Sequence, residues 1–339
     1  MPLSEFELIA RYFRQLGALR QDVVLGVGDD AALLRVPSGC ELVAAIDTLI
    51  EGVHFPPGSP PASIGHRALA VNLSDLAAMG ATPAWALLAL TLPRPGENWL
   101  QDFARGFGAL ALEHGIALVG GDTTAGALSI TVQVLGFAPQ GQAIRRSGAK
   151  PGDLLCVSGT PGDAAEGLDL EMHGSSVGAD AATAAVTAAA ATTATDRLWL
   201  RNRFLYPTPR VALGLALRGI GSACIDVSDG LFADAGKLAA ASGCAASIDA
   251  DALPLSAALL SRAGREGAVR RALLGGDDYE LCFTVSPDRL GELDSLRDSA
   301  GAPAFHRIGQ LHAGSGIEAR RHGTVMDVAA QGFDHFRRS

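Results

Sequence analysis

Gly26-Val27-Gly28-Asp29-Asp30-Ala31-Ala32 is the stretch from which the rest of the chain is read. Two glycines lead into adjacent carboxylates, and two alanines follow. Glycine lets a backbone come close to a ligand because no side chain intervenes. Neighbouring aspartates are costly to hold together unless a cation sits between them. Taken alone, the stretch reads equally well as a turn with solvated acids. It recurs in kind at Asp47-Thr48, Gly120-Gly121-Asp122-Thr123-Thr124, Asp226-Val227-Ser228-Asp229-Gly230 and Gly275-Gly276-Asp277-Asp278-Tyr279-Glu280. Five such clusters, each beside glycine or a small hydroxyl residue, point to one polynuclear metal and phosphate site assembled from distant segments.

The chain has 339 residues, enough for two domains of roughly 150 residues each. It is 48% hydrophobic and 19% charged, a balance that supports a full core and argues against global disorder. The formal net charge of −9 speaks against nucleic acid as a partner. Lys150 and Lys237 are the only lysines, and no Gly-x-x-x-x-Gly-Lys-Ser/Thr stretch is present, which excludes a P-loop. A protein of this kind that handles phosphates needs metal ions for much of its positive charge. Cys40, Cys156, Cys224, Cys244 and Cys282 are widely spaced and indicate neither a disulfide framework nor a zinc site. No secretory leader is read at Met1-Pro2-Leu3-Ser4-Glu5, and no apolar run approaches the roughly 20 residues of a membrane span. A cytoplasmic protein without membrane contact is the expectation.

Ser4-Glu5-Phe6-Glu7 has capping-box spacing and opens a helix with Phe6, Ile9, Ala10 and Phe13 on one face. Glu41 to Ile46 reads as a strand that ends at Asp47. Residues 63–79 read as a helix, with Asn72 and Asp75 three apart on one face; the pair either lies at a rim or faces a site. Strands are expected over 85–92, 116–119 and 128–137, and a helix over 97–114. The basic, turn-like Arg145 to Asp153 separates an N-terminal domain, 1–150, from a C-terminal domain, 151–339. Within the latter, 154–158, 222–225 and 281–285 read as strands, and 163–170, 210–217 and 231–241 as helices. An Ala/Thr-rich insertion at about 174–195 is low in complexity and carries no chemistry. The order is mixed α/β in two halves, each with acids at strand ends.

Magnesium takes oxygen ligands and usually binds through a few carboxylates plus substrate phosphates. Aspartates on separate strands suit that habit. Gly120-Gly121-Asp122-Thr123 reads as a turn whose amides offer a phosphate cradle. Arg146 is either a solvated residue or a phosphate clamp. His54 is either structural or a substrate contact. Metal-rich, lysine-poor phosphate binding points to phosphoryl transfer, which is mostly positioning and charge neutralisation. No Ser-His-Asp or Cys-His pattern competes, and no general base is evident.

These motifs resemble the thiamine-monophosphate kinase family, whose fold is shared with aminoimidazole ribonucleotide synthetase and selenophosphate synthetase. The resemblance rests on Glu5 to Ile9, Gly26 to Ala32, Asp47 to Phe55, Asn72 to Ala81, Gly120 to Thr124, Arg146 to Ala149, Asp226 to Leu231, Gly275 to Phe283 and Gly332 to Phe336. It implies a two-domain α/β (α+β) fold: an N-terminal mixed sheet that pairs in a homodimer, and a C-terminal α/β domain. It implies transfer of the ATP γ-phosphoryl group to thiamine monophosphate, giving thiamine diphosphate. Asp30, Asp47, Asp75, Asp122, Asp226 and Asp229 would hold several Mg2+ ions. Gly121, Asp122, Arg146 and Ser228 would contact ATP, and His54, Asp277 and Phe333 the thiamine end. No catalytic base is implied, because the acceptor phosphate is already mostly ionised at neutral pH.

The sequence departs from that pattern at three places. Asp277 stands where the family usually has glutamate, Ala45 and Ile46 where it commonly has Ser and Thr, and Phe333 where relatives often carry tyrosine or tryptophan. The selenophosphate synthetase reading lacks its early cysteine and lysine, and the aminoimidazole ribonucleotide synthetase reading lacks Asp-Gly-Val-Gly-Thr-Lys. The other alternative is a catalytically silent nucleotide- or metal-binding member of the fold, with the changes at 45, 46 and 277 as its support.

Overall fold

The computed structural model describes residues 5–94, 96–173, 193–297 and 304–328. The chain divides into two compact units, one of Met1–Leu76 with Gly80–Ala143 and one of Ala77–Met79 with Ile144–Ser339. Among the described residues no helix is long and apolar enough to cross a membrane.

The first unit runs α1 (Glu5–Tyr12), β1 (Val23–Leu25), β2 (Leu33–Leu34), β3 (Cys40–Ile50), α2 (Pro61–Ala78), β4 (Thr82–Leu92), α3 (Glu97–Glu113), β5 (Ala117–Ala125) and β6 (Ser129–Pro139). Strands β1 and β2 form a hairpin that frames the Gly26–Ala32 stretch. The other four make a sheet in the order β3-β6-β4-β5, antiparallel except for the β4–β5 pair. Strand β6 alternates strictly: Ile130, Val132 and Val134 are buried, while Thr131, Gln133 and Leu135 are half-buried. That period of two marks a sheet covered on one face. Helix α2 lies on the covered face, where its Leu76 reaches the backbone position of Gly136. Helices α2 and α3 cross so closely that a Cβ on Gly106 would fall 1.9 Å from the Ala62 carbonyl oxygen. On the other face Leu42, Ile46 and Ile50 of β3 are exposed at 50%, 60% and 40%.

Three expectations change in this unit. Asp47 lies within β3 rather than at its end, because β3 pairs with β6 without interruption from Cys40 to Ile50. Gly120-Gly121-Asp122-Thr123-Thr124 is not a turn but the second half of β5, extended beside β4. On α1, Leu8 is buried while Ala10 is exposed, and Phe13 is buried just past the helix end. Ser4 and the side chain of Phe6 lie outside the described residues.

The second unit runs β7 (Leu154–Ser158), α4 (Asp163–His173), α5 (Ala194–Leu205), α6 (Val211–Ala216), β8 (Gly221–Val227), α7 (Leu231–Ala241), β9 (Cys244–Asp249), α8 (Ala257–Leu274), β10 (Glu280–Val285), α9 (Leu290–Arg297), β11 (Phe305–Ala313), β12 (Gly316–Arg321) and β13 (Thr324–Val325). Its sheet has the order β13-β12-β9-β11-β7-β10-β8, and only β9 and β12 pair in parallel. The architecture is therefore α+β rather than a doubly wound parallel sheet. Helix α5 begins inside the stretch read as an insertion. Thr193 and Asp196 form a reciprocal capping box there, each side chain accepting from the other's amide. Most of the Ala/Thr-rich insertion, 174–192, lies outside the described residues.

Strand β10 is entirely buried between β7 and β8. Its first residue, Glu280, has no exposed side-chain surface and pairs with Arg203 at 2.6 Å and Arg210 at 2.5 Å. Ser158, at the end of β7, donates a further 2.5 Å bond. Burial pushes this carboxyl up, but the two guanidiniums and the hydroxyl outweigh it and hold the pKa below the ordinary glutamate value of 4.5. Gly159 has no room for a side chain, since a Cβ would lie 2.0 Å from Glu280 Oε1. Three cysteines line the same strands. Cys156 and Cys224 both pair with Phe283 from opposite sides, and Cys282 is its neighbour. Burial raises the Cys156 thiol to about 12 and moves Cys224 and Cys282 upward as well.

Two outcomes follow from this packing. Glu280→Gln leaves buried Arg203 and half-buried Arg210 without their counter-charge, and should lower stability at pH 7 by about 3–5 kcal/mol in urea denaturation. A depressed carboxylate gives stability that is complete above its unfolded pKa and is lost as pH falls through the folded value. The gap between wild type and Glu280→Gln should therefore be widest above about pH 5 and shrink below about pH 4. Gly121→Ala places a Cβ 1.8 Å from the Leu88 carbonyl oxygen. It should destabilise the first unit by about 1–3 kcal/mol, read as a lower thermal midpoint.

Candidate active site

In the first unit the candidate residues occupy the hairpin, the sheet and α2. Asp30 is exposed, and its amide donates to Asp29 Oδ1 at 2.8 Å. Asp122 is exposed on β5 and accepts from the Thr123 amide at 2.9 Å. Gly121 beside it brings β5 close to β4 and, with Phe13, Val27, Leu88 and Asp122, lines a small cavity. Asp47 sits in register with Val132, Leu88 and Gly121, and Asp122 in the next row, with Ala89 and Thr131. The two aspartates stand on the outer strands of the sheet, three strand spacings or about 14 Å apart. Asp47 reaches solvent at its surface, yet the protein packed around it desolvates the carboxyl and moves its pKa up.

Asp75 is half-buried on α2. Asn72 is fully buried rather than at a rim. Its Nδ2 donates back to the Ala68 carbonyl at 3.0 Å, and its Oδ1 meets no donor among the described residues. His54 closes the turn after β3: its Nδ1 accepts from the Ile50 amide at 3.0 Å. In the neutral ring Nε2 therefore carries the proton. This bond ties the ring to the end of β3.

The second unit brings its candidates together. Asp226 is 9% exposed near the end of β8, and Ser228, Asp229 and Gly230 form the loop that follows. The Gly275–Tyr279 loop is bonded to this loop, since the Asp277 amide donates to the Ser228 carbonyl (2.9 Å) and the Tyr279 amide to the Val227 carbonyl (2.8 Å). The approach requires glycine: a Cβ on Gly276 would fall 2.5 Å from Ser228 O. Asp277 (φ 69°) and Tyr279 (φ 51°) both take left-handed backbone. Such strain in non-glycine residues persists where neighbours over-determine it. The Tyr279 hydroxyl donates to Asp277 Oδ1 at 3.3 Å, which orients that carboxylate.

The remaining acids of this cluster serve the interior. Asp278 is fully buried and accepts from the Gly162 amide at 2.8 Å and the Ala164 amide at 3.3 Å, at the start of α4. Burial pushes its pKa well up against the pull of those contacts. With Glu280 held by arginines, two of the three acids in Asp277-Asp278-Tyr279-Glu280 are structural. This corrects the expectation that the whole cluster joins one polynuclear site. Among the described residues no group of three or more His, Cys, Asp or Glu side chains closes into a metal cage.

Helix α7 holds the neighbouring loops, a role the sequence reading missed. Asp234, 1% exposed, accepts from the amides of Ser228 (3.0 Å) and Asp229 (2.9 Å). At the other end of α7 the Ser242 hydroxyl accepts from the amides of Gly148 and Ala149, each at 3.2 Å. That bond fixes the loop carrying Arg146, whose own side chain is exposed. Arg145 O accepts from the Cys224 amide at 2.9 Å, laying the same loop along β8. The signal for Asp234 was present as an acid in the first turn of a predicted helix, which is where amide-capping carboxylates sit. Phe333 lies outside the described residues.

Comparisons with known proteins agree with one another. The AIR synthase related protein family matches in two parts, its N-terminal domain over residues 28–138 and its C-terminal domain over 150–322. The thiamine-monophosphate kinase of Salmonella typhimurium is 47% identical over 337 residues, 99% of each chain. The crystal structure of thiamine-monophosphate kinase from Stenotrophomonas maltophilia superposes with a TM-score of 0.80 at 50% identity, covering 88% of this chain and 92% of that one. The solved complex of AaThiL with AMPPCP and TMP has a TM-score of 0.74 at 30% identity, covering 91% and 92%. On identity across the full length, the chain belongs to the thiamine-monophosphate kinase family of AIR synthase related proteins.

Proposed function

We propose that this protein transfers the γ-phosphoryl group of ATP to thiamine monophosphate, yielding thiamine diphosphate and ADP. The observation that carries this reading is the 47% identity along 99% of the chain to a thiamine-monophosphate kinase. The relative bound to AMPPCP and TMP supports the pairing of substrates. A silent member of the fold is disfavoured by the same identity along the full chain to a thiamine-monophosphate kinase. We place the domain boundary near residue 150, supported by family matches that end at 138 and resume at 150.

The donor set fits Mg2+, since it consists of carboxylate oxygens. Magnesium, when bound, supplies the positive charge that offsets repulsion between two polyanions. We assign Asp30, Asp47, Asp75, Asp122, Asp226 and Asp229 to hold it. Gly121 and Ser228 bring backbone close to ATP, with Asp122, and Arg146 contributes a fixed cation on an anchored loop. Asp277, oriented by Tyr279, and His54 face the thiamine end, with Phe333 as the aromatic neighbour of the thiazolium cation. No residue is assigned as a general base. The acceptor phosphate has a second pKa of about 6 and is its own nucleophile at neutral pH.

We further infer a homodimer through the first unit. The support is the unpartnered face of β3, an edge strand on which Leu42, Ile46 and Ile50 stay exposed. Exposed apolar edges of this kind are association surfaces.

A phosphorus NMR time course with ATP, Mg2+ and thiamine monophosphate tests the reaction, with free thiamine as the parallel acceptor. Diphosphate signals of thiamine diphosphate, matched by ADP and seen only with the monophosphate, are expected. Binding without product would sink the proposal. Asp47→Asn and Asp122→Asn should each lower turnover by at least about 100-fold with unchanged circular dichroism; full activity in either folded variant would remove that residue from the metal set. Ile46→Glu should shift sedimentation toward a monomer, whereas wild-type protein sedimenting as a monomer at micromolar concentration would refute the dimer.

A further inference from the structure

The Asp226–Gly230 loop runs directly into α7, and one side chain of that helix bonds both to the loop and to the residue that anchors it. Lys237 Nζ donates to Asp234 Oδ1 at 2.8 Å and also to Asp229 Oδ2. Asp234 is buried and spends its other oxygen on the Ser228 and Asp229 amides. Asp229 is 30% exposed and Lys237 41%. One ammonium thus bridges a carboxylate that fixes the loop from inside and a carboxylate that faces solvent. Without it two like charges would stand side by side. Lysine suits this position because an ammonium is a compact point charge on a flexible stem, with three donors, unlike the planar fork of arginine. Lys237 is also one of just two lysines in a chain whose other 25 basic residues are arginines.

We propose that Lys237 is a displaceable counter-charge for the Asp226–Gly230 loop, holding Asp229 in the metal-free protein and yielding it to a divalent cation. The inference rests on the reading of Asp229 as a metal ligand. Only the Asp229 side chain has to change partner. The Lys237–Asp234 pair and the two Asp234–amide bonds persist, so the loop backbone keeps its place before and after the exchange. Lys237 is therefore a positioning residue and takes no part in the chemistry. Arginine in its place keeps the charge, whereas methionine keeps the length and removes the charge.

The test uses full-length protein, Mn2+ as the probe, and two readouts that do not depend on turnover. Electron paramagnetic resonance titration gives Mn2+ affinity, and hydrogen exchange reports the amides of residues 228 and 229. In Lys237→Met these amides should exchange several-fold faster than in wild type without metal and return to wild-type protection at saturating Mn2+. Mn2+ should bind this variant tighter by up to about five-fold, the scale of one half-exposed ion pair. Lys237→Arg should behave as wild type in the exchange experiment. Unchanged exchange in metal-free Lys237→Met, or Mn2+ binding no tighter than wild type, would overturn the proposal. Asp229→Asn separates the two levels. If it binds Mn2+ as tightly as wild type, Asp229 is not a ligand and the displacement fails with it, while metal-free exchange still decides whether Lys237 holds the loop.

Discussion

A single buried carboxylate organises the second unit. Glu280 stands at the first position of a strand buried along its length, and an ion there is tolerable only if it is fully paired. Arg203 from α5, Arg210 before α6 and Ser158 from β7 supply the pairing, so the carboxylate gathers three chain segments. The space is so filled that Gly159 must lack a side chain. Two residues earlier, Asp278 turns inward to the amides at the start of α4. With Asp278 and Glu280 both tied inside, the backbone between and before them is forced into left-handed conformations at Tyr279 and Asp277. Asp277 is thereby presented beside the Ser228 loop. The candidate site in this unit is the outer edge of a structure whose inner edge is ionic.

How much of this is legible in the sequence depends on what kind of signal each residue leaves. Strands with apolar runs bounded by turns, such as Leu154–Ser158, and the helix Leu231–Ala241 are found at the limits their patterns predict. Glycine-rich acidic stretches are located correctly, but their roles are not separable by type. Asp277 and Asp278 are adjacent and chemically identical, and only the loop backbone, left-handed at Asp277, sets one beside the Ser228 loop and turns the other to a helix start. Gly120-Gly121 looks like a turn because glycine usually signals one. In fact the glycines serve close packing of β5 on β4, a long-range contact that no local pattern records. Helix α5 is hidden by its alanine- and threonine-rich approach, although its capping residues Thr193 and Asp196 are there to be read.

The metal reading illustrates a similar limit. Counting aspartates suggests one polynuclear cluster. The sheet register sets Asp47 and Asp122 on the two outer strands of one sheet. Sparse carboxylates are what a cation completed by substrate phosphates and water requires.

Helix α7 carries a consequence for how such a chain can change in length. Its first turn grips the Ser228–Asp229 amides through Asp234, and its C-cap, Ser242, grips the Gly148–Ala149 amides. The helix is a ruler of 11 residues between the loop bearing the acids and the loop bearing Arg146. Adding or deleting one residue would rotate one grip by about 100° relative to the other and slide it by about 1.5 Å. Insertions and deletions in a lineage should therefore spare the span from Asp234 to Ser242, which keeps its length even where its apolar residues drift.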